Sequence, residues 1–286
     1  MKVTLNAALM LIAAISTVLA APADQNDNAA LRYWAAFSEL RDSAVTAEQA
    51  KELGAIVDGT APYDDSKYRE LVEKNQLALE IMSRGTRFTQ CDWGLDYDLG
   101  MNMPVEYVRE ALTLGRLNVL YTFHLLKGGN TEGVVQSLTA GLRFSHDVAN
   151  GGTLLATMVA KSLLSDHLKA IVEVLRVGQV SADQRSRLQT AVGASGYELD
   201  WSSAARRDLE LLRHDYARTP EAAAALDRVE ATYLAAVSNE FSAASAELTL
   251  KTIPKDLANV IPNLEGVLKQ KQDLSDRIRQ TRAALQ

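Results

Sequence analysis

The octapeptide CDWGLDYD, residues 91–98, concentrates side chains that could do chemistry. It holds the chain's single cysteine, two aromatic rings that could stack on a ligand, and three carboxylates suited to a cationic or sugar-like ligand. The candidate ligand-binding residues are Cys91, Asp92, Trp93, Asp96, Tyr97 and Asp98. The stretch lies in a long connection without helical spacing, and such connections in compact helical proteins are often functional.

A structural role for the same stretch is the alternative. Cys91 and Trp93 would form an apolar plug that folds the loop back over neighbouring helices, while Asp92 or Asp96 accepts backbone amides in a turn. The nearby acids are expected to raise the pKa of the thiol, so a nucleophilic cysteine is not predicted. With one cysteine in the chain, only an intermolecular disulfide could form.

Metal ligands at recognisable spacing are not found in the sequence. Acidic and amide side chains alternate over 96–102 as in a calcium loop, but Met101 stands where an EF-hand needs glycine and Tyr107 where it needs glutamate. The histidines show no H-E-x-x-H or E-x-x-H spacing, which removes the usual support for zinc-peptidase and di-iron sites. We therefore predict no bound metal and no cofactor.

Catalytic motifs are also missing from the sequence. There is no G-x-S-x-G nucleophile elbow, and Gly193-Ala-Ser-Gly196 is interpreted as a turn. The adjacent pairs His146-Asp147, Asp166-His167 and His214-Asp215 are not expected to form dyads, because neighbours on a helix point about 100° apart. Paired carboxylates need no motif, so an envelope hydrolase acting on glycans, with Asp92, Asp96 or Asp98 as acid or base, stays an alternative.

Most of the chain has the apolar spacing of amphipathic helices. Apolar residues recur at three- and four-residue steps and period-two alternation is nearly absent, which predicts an all-α fold. Turns such as Gly128-Gly129-Asn130 favour stacked antiparallel helical hairpins, either tetratricopeptide-like or an irregular α-α superhelix. The segments Thr46–Gln49 and Ser181–Gln184 are capping boxes that begin two of the helices.

Three further helical segments are predicted. One helix is predicted to carry Leu71 to Met82 and to end at Arg84-Gly85, and Pro104 is predicted to be the first residue of the next helix. The apolar segment Thr153 to Val177 is predicted to be a half-buried helix with Leu155 on its buried side. Its charged residues, which argue against a membrane span, are Lys161, Asp166, Lys169, Glu173 and Arg176.

The first twenty residues predict export. Met1 and Lys2 precede a mostly apolar run to Leu19, and Val18-Leu19-Ala20 fits a signal peptidase site. We expect a signal peptide over residues 1–20, cleavage after Ala20, a periplasmic or secreted protein, and no transmembrane segment in the mature chain. Residues 21–286 are predicted to form a single α-helical domain, with any sub-boundary near 178–181.

Charge is distributed unevenly. Between Ala21 and Pro104 fifteen acidic residues face eight basic ones, whereas from Val105 to Gln286 both counts are twenty-one. This acidic surface carries no Lys/Arg cluster with interleaved aromatics, so nucleic acid is not an expected partner. A protein or peptide partner is predicted, and the acidic N-terminal third favours a basic one.

Six residues of the last helix recur at alternating four- and three-residue steps, as in a coiled-coil seam. The seam consists of Val267, Lys271, Leu274, Ile278, Thr281 and Leu285. Because it is short and partly polar, we expect it to pack on the protein's own body, and a homo-oligomer joined through this helix is the alternative.

The residues around the octapeptide resemble a known family. A helix ending in MSRGTRFTQ, then CDWGLDYD, a leucine-rich helix and a GGN turn are similar to uncharacterised exported bacterial proteins with a Cys-Asp-Trp-Gly motif. The resemblance covers Glu70 to about Leu175 and implies a helical, tetratricopeptide-like architecture without an established activity. It carries over to Cys91–Gly94, and Gln90 replaces the basic residue that commonly precedes the cysteine.

These observations favour one function. We expect a non-catalytic, exported helical scaffold of the cell envelope that binds a protein or peptide in a groove between stacked hairpins. The 91–98 loop would shape one edge of that groove.

Overall fold

The predicted all-α class is confirmed by the structure, a computed structural model that describes residues 27–42, 46–177, 180–193, 198–238 and 260–286. The helices are α1 Ala29–Ser38, α2 Ala47–Val57, α3 Asp65–Lys74, α4 Gln76–Gly85, α5 Tyr107–Lys127, α6 Thr131–Val148, α7 Leu154–Val177, α8 Ala182–Gly193, α9 Trp201–Tyr216, α10 Pro220–Val237 and α11 Leu264–Leu285. Short 3₁₀ helices span Tyr97–Asn102 and Ala149–Gly151. The predicted signal peptide and most of the turn at 193–196 lie outside the described residues.

Both predicted capping boxes are confirmed. The Thr46 hydroxyl accepts from the Gln49 amide at 3.1 Å, and the Gln49 side chain accepts from the Thr46 amide at 2.9 Å. Ser181 and Gln184 make the same reciprocal pair at 3.2 and 3.0 Å. Each box satisfies two amides that a helix start leaves unpaired, so these boundaries follow from sequence alone.

The single helix predicted over Leu71 to Met82 is wrong, because the chain breaks at Asn75 into α3 and α4. The Asn75 side chain accepts from the amide of Arg41 at 2.8 Å and donates to the carbonyls of Arg41 and Leu71, both at 2.8 Å. An asparagine side chain that bonds backbone groups competes with helix continuation. The two bonds to distant Arg41 help to hold this break.

Helix α5 begins later than predicted. Pro104 is not its first residue, since regular helix starts at Tyr107. The amides of Val108 and Arg109 bond the carbonyls of Val105 and Glu106 at 3.1 Å each, so a tight turn of i→i+3 bonds precedes the helix.

Helices α5, α6 and α7 form the centre, and each packs on the other two. Helix α1 pairs with α4, and α9 pairs with α10. The tight turn at Gly128-Gly129-Asn130 makes α5 and α6 antiparallel, and the Asn130 side chain caps α6 by accepting from the Gly133 amide at 2.9 Å.

A polar cluster is buried where these three helices meet. His167 is fully buried, with Nδ1 2.7 Å from the Leu163 carbonyl oxygen and Nε2 3.1 Å from Nδ2 of Asn118. Burial lowers the pKa of His167 to about 4, so the ring is neutral, donating from Nδ1 and accepting at Nε2. Gly141 makes room for it, since a Cβ there would lie 2.1 Å from Nε2 of His167.

The last helix packs on its own chain, along α7 and α8. Its seam residues are buried except Lys271, which is half-buried and donates to the Val237 carbonyl. Thr281 donates to the Leu168 carbonyl at 3.5 Å, and Arg282 donates to the Val192 carbonyl at 3.3 Å. The seam is therefore occupied within the chain.

Helix α7 differs from the prediction in one detail. Leu155, expected on its buried side, is 50% exposed. Its neighbours Leu154 and Ala156 are buried instead, which turns Leu155 outward in the first turn. Among the described residues, no helix combines the length and apolar character needed to cross a membrane.

Candidate functional site

The predicted octapeptide lies in the connection between α4 and α5, called here the 86–106 loop. Trp93 is 4% exposed and sits among aromatic rings. It stacks on Tyr107 with ring centroids 4.2 Å apart, lies parallel to Phe37 at 6.1 Å, and stacks on Tyr33 at 5.7 Å. These neighbours occupy the ring, so the described structure uses Trp93 for packing.

The polar tips of three aromatic side chains in or beside this loop bond carbonyls at the end of α6 and in the 3₁₀ helix, Ala149–Gly151, that follows it. Trp93 Nε1 donates to the Asp147 carbonyl at 2.9 Å, Tyr107 donates to the Val148 carbonyl at 3.2 Å, and Tyr97 donates to the Gly151 carbonyl at 3.0 Å. A helix C-terminus leaves its last carbonyls without intrahelical partners. The aromatic residues therefore supply a side-chain cap for α6 from far along the chain.

Asp147 is the centre of this cap. Its carboxylate is fully buried, accepts from the Tyr33 hydroxyl at 2.7 Å, and lies 3.0 Å from Nε of Arg143. Its carbonyl also accepts from the Cys91 thiol at 3.6 Å. Burial, together with the Asp147 charge, raises the pKa of Cys91 far above its usual range. The thiol is therefore protonated at neutral pH and is not an activated nucleophile.

The three aspartates of the octapeptide stand at the surface. The Asp92 carboxylate accepts from the Gly94 amide at 2.9 Å, in a turn where Gly94 has a φ of +66°, and Asp96 accepts from the Asp98 amide at 3.2 Å. These are short-range turn bonds of the kind aspartate forms. Of the predicted site residues, Cys91, Trp93 and Tyr97 turn toward α6 and the aspartates turn outward; ligand binding by this set stays a prediction.

The loop also covers the start of α1. Asn28 Nδ2 donates to the Asp92 carbonyl at 2.8 Å, and its Oδ1 accepts from the Asp92 amide at 2.9 Å. The Ala29 amide donates to the Gln90 carbonyl at 2.8 Å. Arg207 places its guanidinium 4.3 Å from the ring centroid of Tyr97. The loop thus joins α1, α6 and α9.

The calcium-like stretch folds as a 3₁₀ helix, Tyr97–Asn102, capped by Asp96. Among the described residues, no group of three or more His, Cys, Asp or Glu side chains could hold a metal ion.

One adjacent pair does form a dyad, contrary to expectation. His214 Nδ1 lies 2.9 Å from Oδ1 of Asp215, whose Oδ2 accepts from the Met101 amide at 2.9 Å. The pair occupies the last turn of α9, where the two side chains bend together over the 3₁₀ helix. The expectation from helix geometry is wrong here because side-chain torsions offset the divergence of the backbone vectors.

A second histidine pair could not be seen in the sequence. His124 Nδ1 lies 2.7 Å from Oδ1 of Asp65, although 59 positions separate them. Arg69 Nε donates to Asp65 at 2.9 Å and the Tyr63 hydroxyl donates at 3.3 Å. Burial acts to raise the pKa of Asp65, but the bonds from His124 and Arg69 outweigh it and hold this pKa below its usual value.

A groove lies beside this pair, and its floor is the outer face of α7. We define the α7 groove by its floor residues, which are Lys161, Ser165, Lys169, Val172, Glu173, Arg176 and Val177. They recur at three- and four-residue steps and so share one helix face. The charged residues of this α7 face can be identified from the sequence. In the sequence alone they indicate only that the segment does not span a membrane.

The walls of the α7 groove come from other helices. The turn after α2, with Asp58 and Gly59, flanks the middle of α7 opposite Arg277 of α11. At the Val177 end lies a depression of about 360 Å³, called here the apolar depression after most of its wall residues, which Lys127, Glu173 and Arg176 also line. Its apolar walls are Ile56, Ala61, Pro62, Tyr63, Phe123 and Leu126. Tyr63 connects it to the Asp65–His124 pair.

Ion pairs organise the charged part of the groove. Lys169 lies 2.9 Å from Asp58, and Lys161 lies 4.0 Å from Asp273. Burial raises the pKa of Asp166, on the same helix, to about 6 despite these lysines.

Comparison with protein-family models, with curated proteins and with solved structures finds no match to this chain. The resemblance through the Cys-Asp-Trp-Gly motif therefore stays a prediction.

Proposed function

We propose that this protein is a non-catalytic, exported helical binding protein of the cell envelope, and that it holds an extended peptide or protein segment in the α7 groove. The supporting observation is continuity. Three depressions follow one another along the groove. Lys169 and Arg277 line both the depression at the Lys161 end and the middle one. Glu173 and Arg176 line both the middle depression and the apolar one. Adjoining depressions with common walls make one track.

The dimensions of the track fit a short peptide. Lys161 to Val177 spans about 24 Å at the helical rise of about 1.5 Å per residue. An extended chain advances about 3.3 Å per residue, so the track accommodates about seven residues. The apolar depression gives one large side chain a place to bury, and binding sites commonly combine such a pocket with a few polar groups.

The state of the Cys91 thiol supports binding rather than catalysis by a cysteine nucleophile. Cys91 is partly buried, and its raised pKa keeps it protonated. Export rests on the predicted signal peptide, residues 1–20, and places this binding activity in the periplasm or outside the cell.

The test is selection followed by mutation. A phage-displayed library of random heptapeptides is selected on the mature chain, and the Kd of selected peptides is measured by fluorescence anisotropy. Val177, 44% exposed, lines the groove, whereas Leu155, 50% exposed on the same helix, does not. Val177→Glu is expected to weaken binding about tenfold or more, whereas Leu155→Glu should change it less than about twofold.

A second variant fills the same depression from its other wall. Ala61→Trp should also abolish the binding of selected peptides, provided that circular dichroism shows a native helix content. No selected peptides, or peptides whose affinity is unaffected by both groove variants, would reject the proposal.

A further inference from the structure

The acidic side chains of the α7 groove are already paired. Asp58 bonds Lys169, Glu173 bonds Arg176 with a 2.7 Å contact from Nε, Asp273 lies near Lys161, and Asp276 lies 2.5 Å from Arg279. Each groove carboxylate thus has a cationic neighbour within the chain. Little uncompensated negative charge faces a ligand there.

Two groove cations differ from the others. Within the described residues, Arg277 and Lys127 line the groove without an ion-pair partner. Arg277 is half-buried between α7 and the turn after α2, and it lines two of the three depressions. Lys127 stands at the rim of the apolar depression. A guanidinium keeps its charge at all ordinary pH values and matches a carboxylate geometrically.

The balance of charge in the α7 groove differs from the balance of charge in the chain as a whole. The protein has a net charge of −6, and its acidic N-terminal third favoured a basic partner. Of that third, Asp58 is the charged residue lining the groove, and Lys169 already pairs with it. At physiological salt, exposed charges farther than about 8 Å are largely screened, so the lining residues dominate recognition.

The spacing of apolar and cationic features sets the ligand pattern. Arg277 lines the groove beside Lys169, and the apolar depression ends at Val177. Eight helical residues correspond to about 12 Å, which an extended chain covers in three to four residues.

Resting on the proposed function, we infer that the segment held in the α7 groove is acidic: it buries a large apolar side chain in the depression near Val177 and, three to four residues away, presents a carboxylate to Arg277. Lys127 provides a second cation for an acidic residue beside the apolar one.

The test uses three labelled heptapeptides that differ at one position. Each carries a phenylalanine, and four residues away either glutamate, glutamine or lysine; anisotropy gives each Kd at two salt concentrations. The glutamate probe is expected to bind about tenfold more tightly than the glutamine probe, with the lysine probe weakest. Its advantage should shrink at high salt.

Arg277→Gln should remove the glutamate advantage and leave the glutamine probe unchanged, while Arg277→Glu should make the lysine probe the preferred one. Arg282→Gln is the matched control on the same helix, because Arg282 donates to the Val192 carbonyl and does not line the groove. Equal binding of all three probes, or a glutamate advantage that survives Arg277→Gln, overturns the inference and leaves peptide binding intact. Failure of the random library as well as the probes rejects the proposed function itself.

Discussion

The indole nitrogen of Trp93 donates a 2.9 Å hydrogen bond to the carbonyl of Asp147, at the last turn of α6. This bond gives the tryptophan of the octapeptide a structural role between two helices. Buried tryptophan needs an acceptor for its N–H, and a helix end needs donors for its carbonyls. Each group satisfies the other, and the surrounding rings exclude water from both.

Replacing Trp93 with phenylalanine should therefore destabilise the protein although the stacking surface is largely kept. The Asp147 carbonyl loses a donor in a buried place, and the smaller ring leaves space, which together cost about 2 kcal/mol. The free energy of unfolding is measured in urea. Trp34→Phe is the matched control, because Trp34 is 41% exposed and should change stability by less than about 0.5 kcal/mol. Equal losses in the free energy of unfolding for the two variants would contradict the capping role of Trp93 at the end of α6.

The thiol of Cys91 should react slowly in the native protein. Burial and the neighbouring Asp147 charge raise its pKa, so little thiolate is present at pH 8. With a small disulfide reagent, the native rate is expected to be at least about tenfold below the rate in urea. Trp93→Ala opens the loop and should raise the native rate. A wild-type rate equal to that in urea would indicate an open loop instead.

The sequence predicted what depends on near neighbours. The capping box at Thr46–Gln49 and the turn before Asn130 are correct because their partners lie three residues away. The break at Asn75 was missed because Arg41, a distant residue, helps to hold it. The sequence suggests both a packing role and a ligand-binding role for Trp93. It does not decide between them, since the neighbours Tyr33 and Tyr107 come from separate helices.

The α7 groove also depends on distant residues and could not be predicted from the sequence. Its floor was visible as a charged helix face, but concavity arises only when α2, α5 and α11 take their places beside α7. Among the described residues, the absence of an ion-pair partner for Arg277 depends on the same packing. No local pattern encodes either property.

Gly141→Ala should strongly destabilise the protein. A Cβ at this position would lie 2.1 Å from Nε2 of His167 and 2.5 Å from Nδ2 of Asn118, so the buried polar cluster must move. We expect a loss of at least about 2 kcal/mol in thermal or urea unfolding. Gly54→Ala is the matched control in α2, because a Cβ there meets nothing within 4 Å and should stabilise by about 0.5–1 kcal/mol. A harmless Gly141→Ala would show that the cluster is loosely packed.

The neutral state of His167 makes stability depend on pH. Its native pKa of about 4 lies below the ordinary value of 6.5, so the unfolded chain binds the extra proton between these values. This contribution is fully present above pH 6.5 and falls by about 3 kcal/mol as pH drops to 4. Urea unfolding across this range measures it. His167→Gln lowers stability overall but should flatten that part of the profile; an unchanged slope would assign the effect to other groups.

Asp166 should act with the opposite sign. Its native pKa of about 6 is above the ordinary value of 3.8, so the folded chain binds more protons between them and this contribution to stability is lost as pH rises. Asp166→Asn is therefore expected to stabilise at pH 7.5 by about 1–2 kcal/mol, allowing for solvent screening, and to have little effect at pH 4. The control is Asp183→Asn, which removes an exposed carboxylate in the first turn of α8. Equal effects of Asp166→Asn at both pH values would contradict the raised pKa.

The bond between Tyr33 and Asp147 joins residues 114 positions apart. A chain that emerges N-terminus first from a ribosome or a translocation channel presents α1 and the 86–106 loop long before the end of α6. Until then the rings of Tyr33 and Trp93 lack the acceptors that hold them, and their apolar faces are open to water and to other chains. The hydrogen bond that joins the first helix to α6 is thus a late event, which forms only when about half of the polypeptide has emerged.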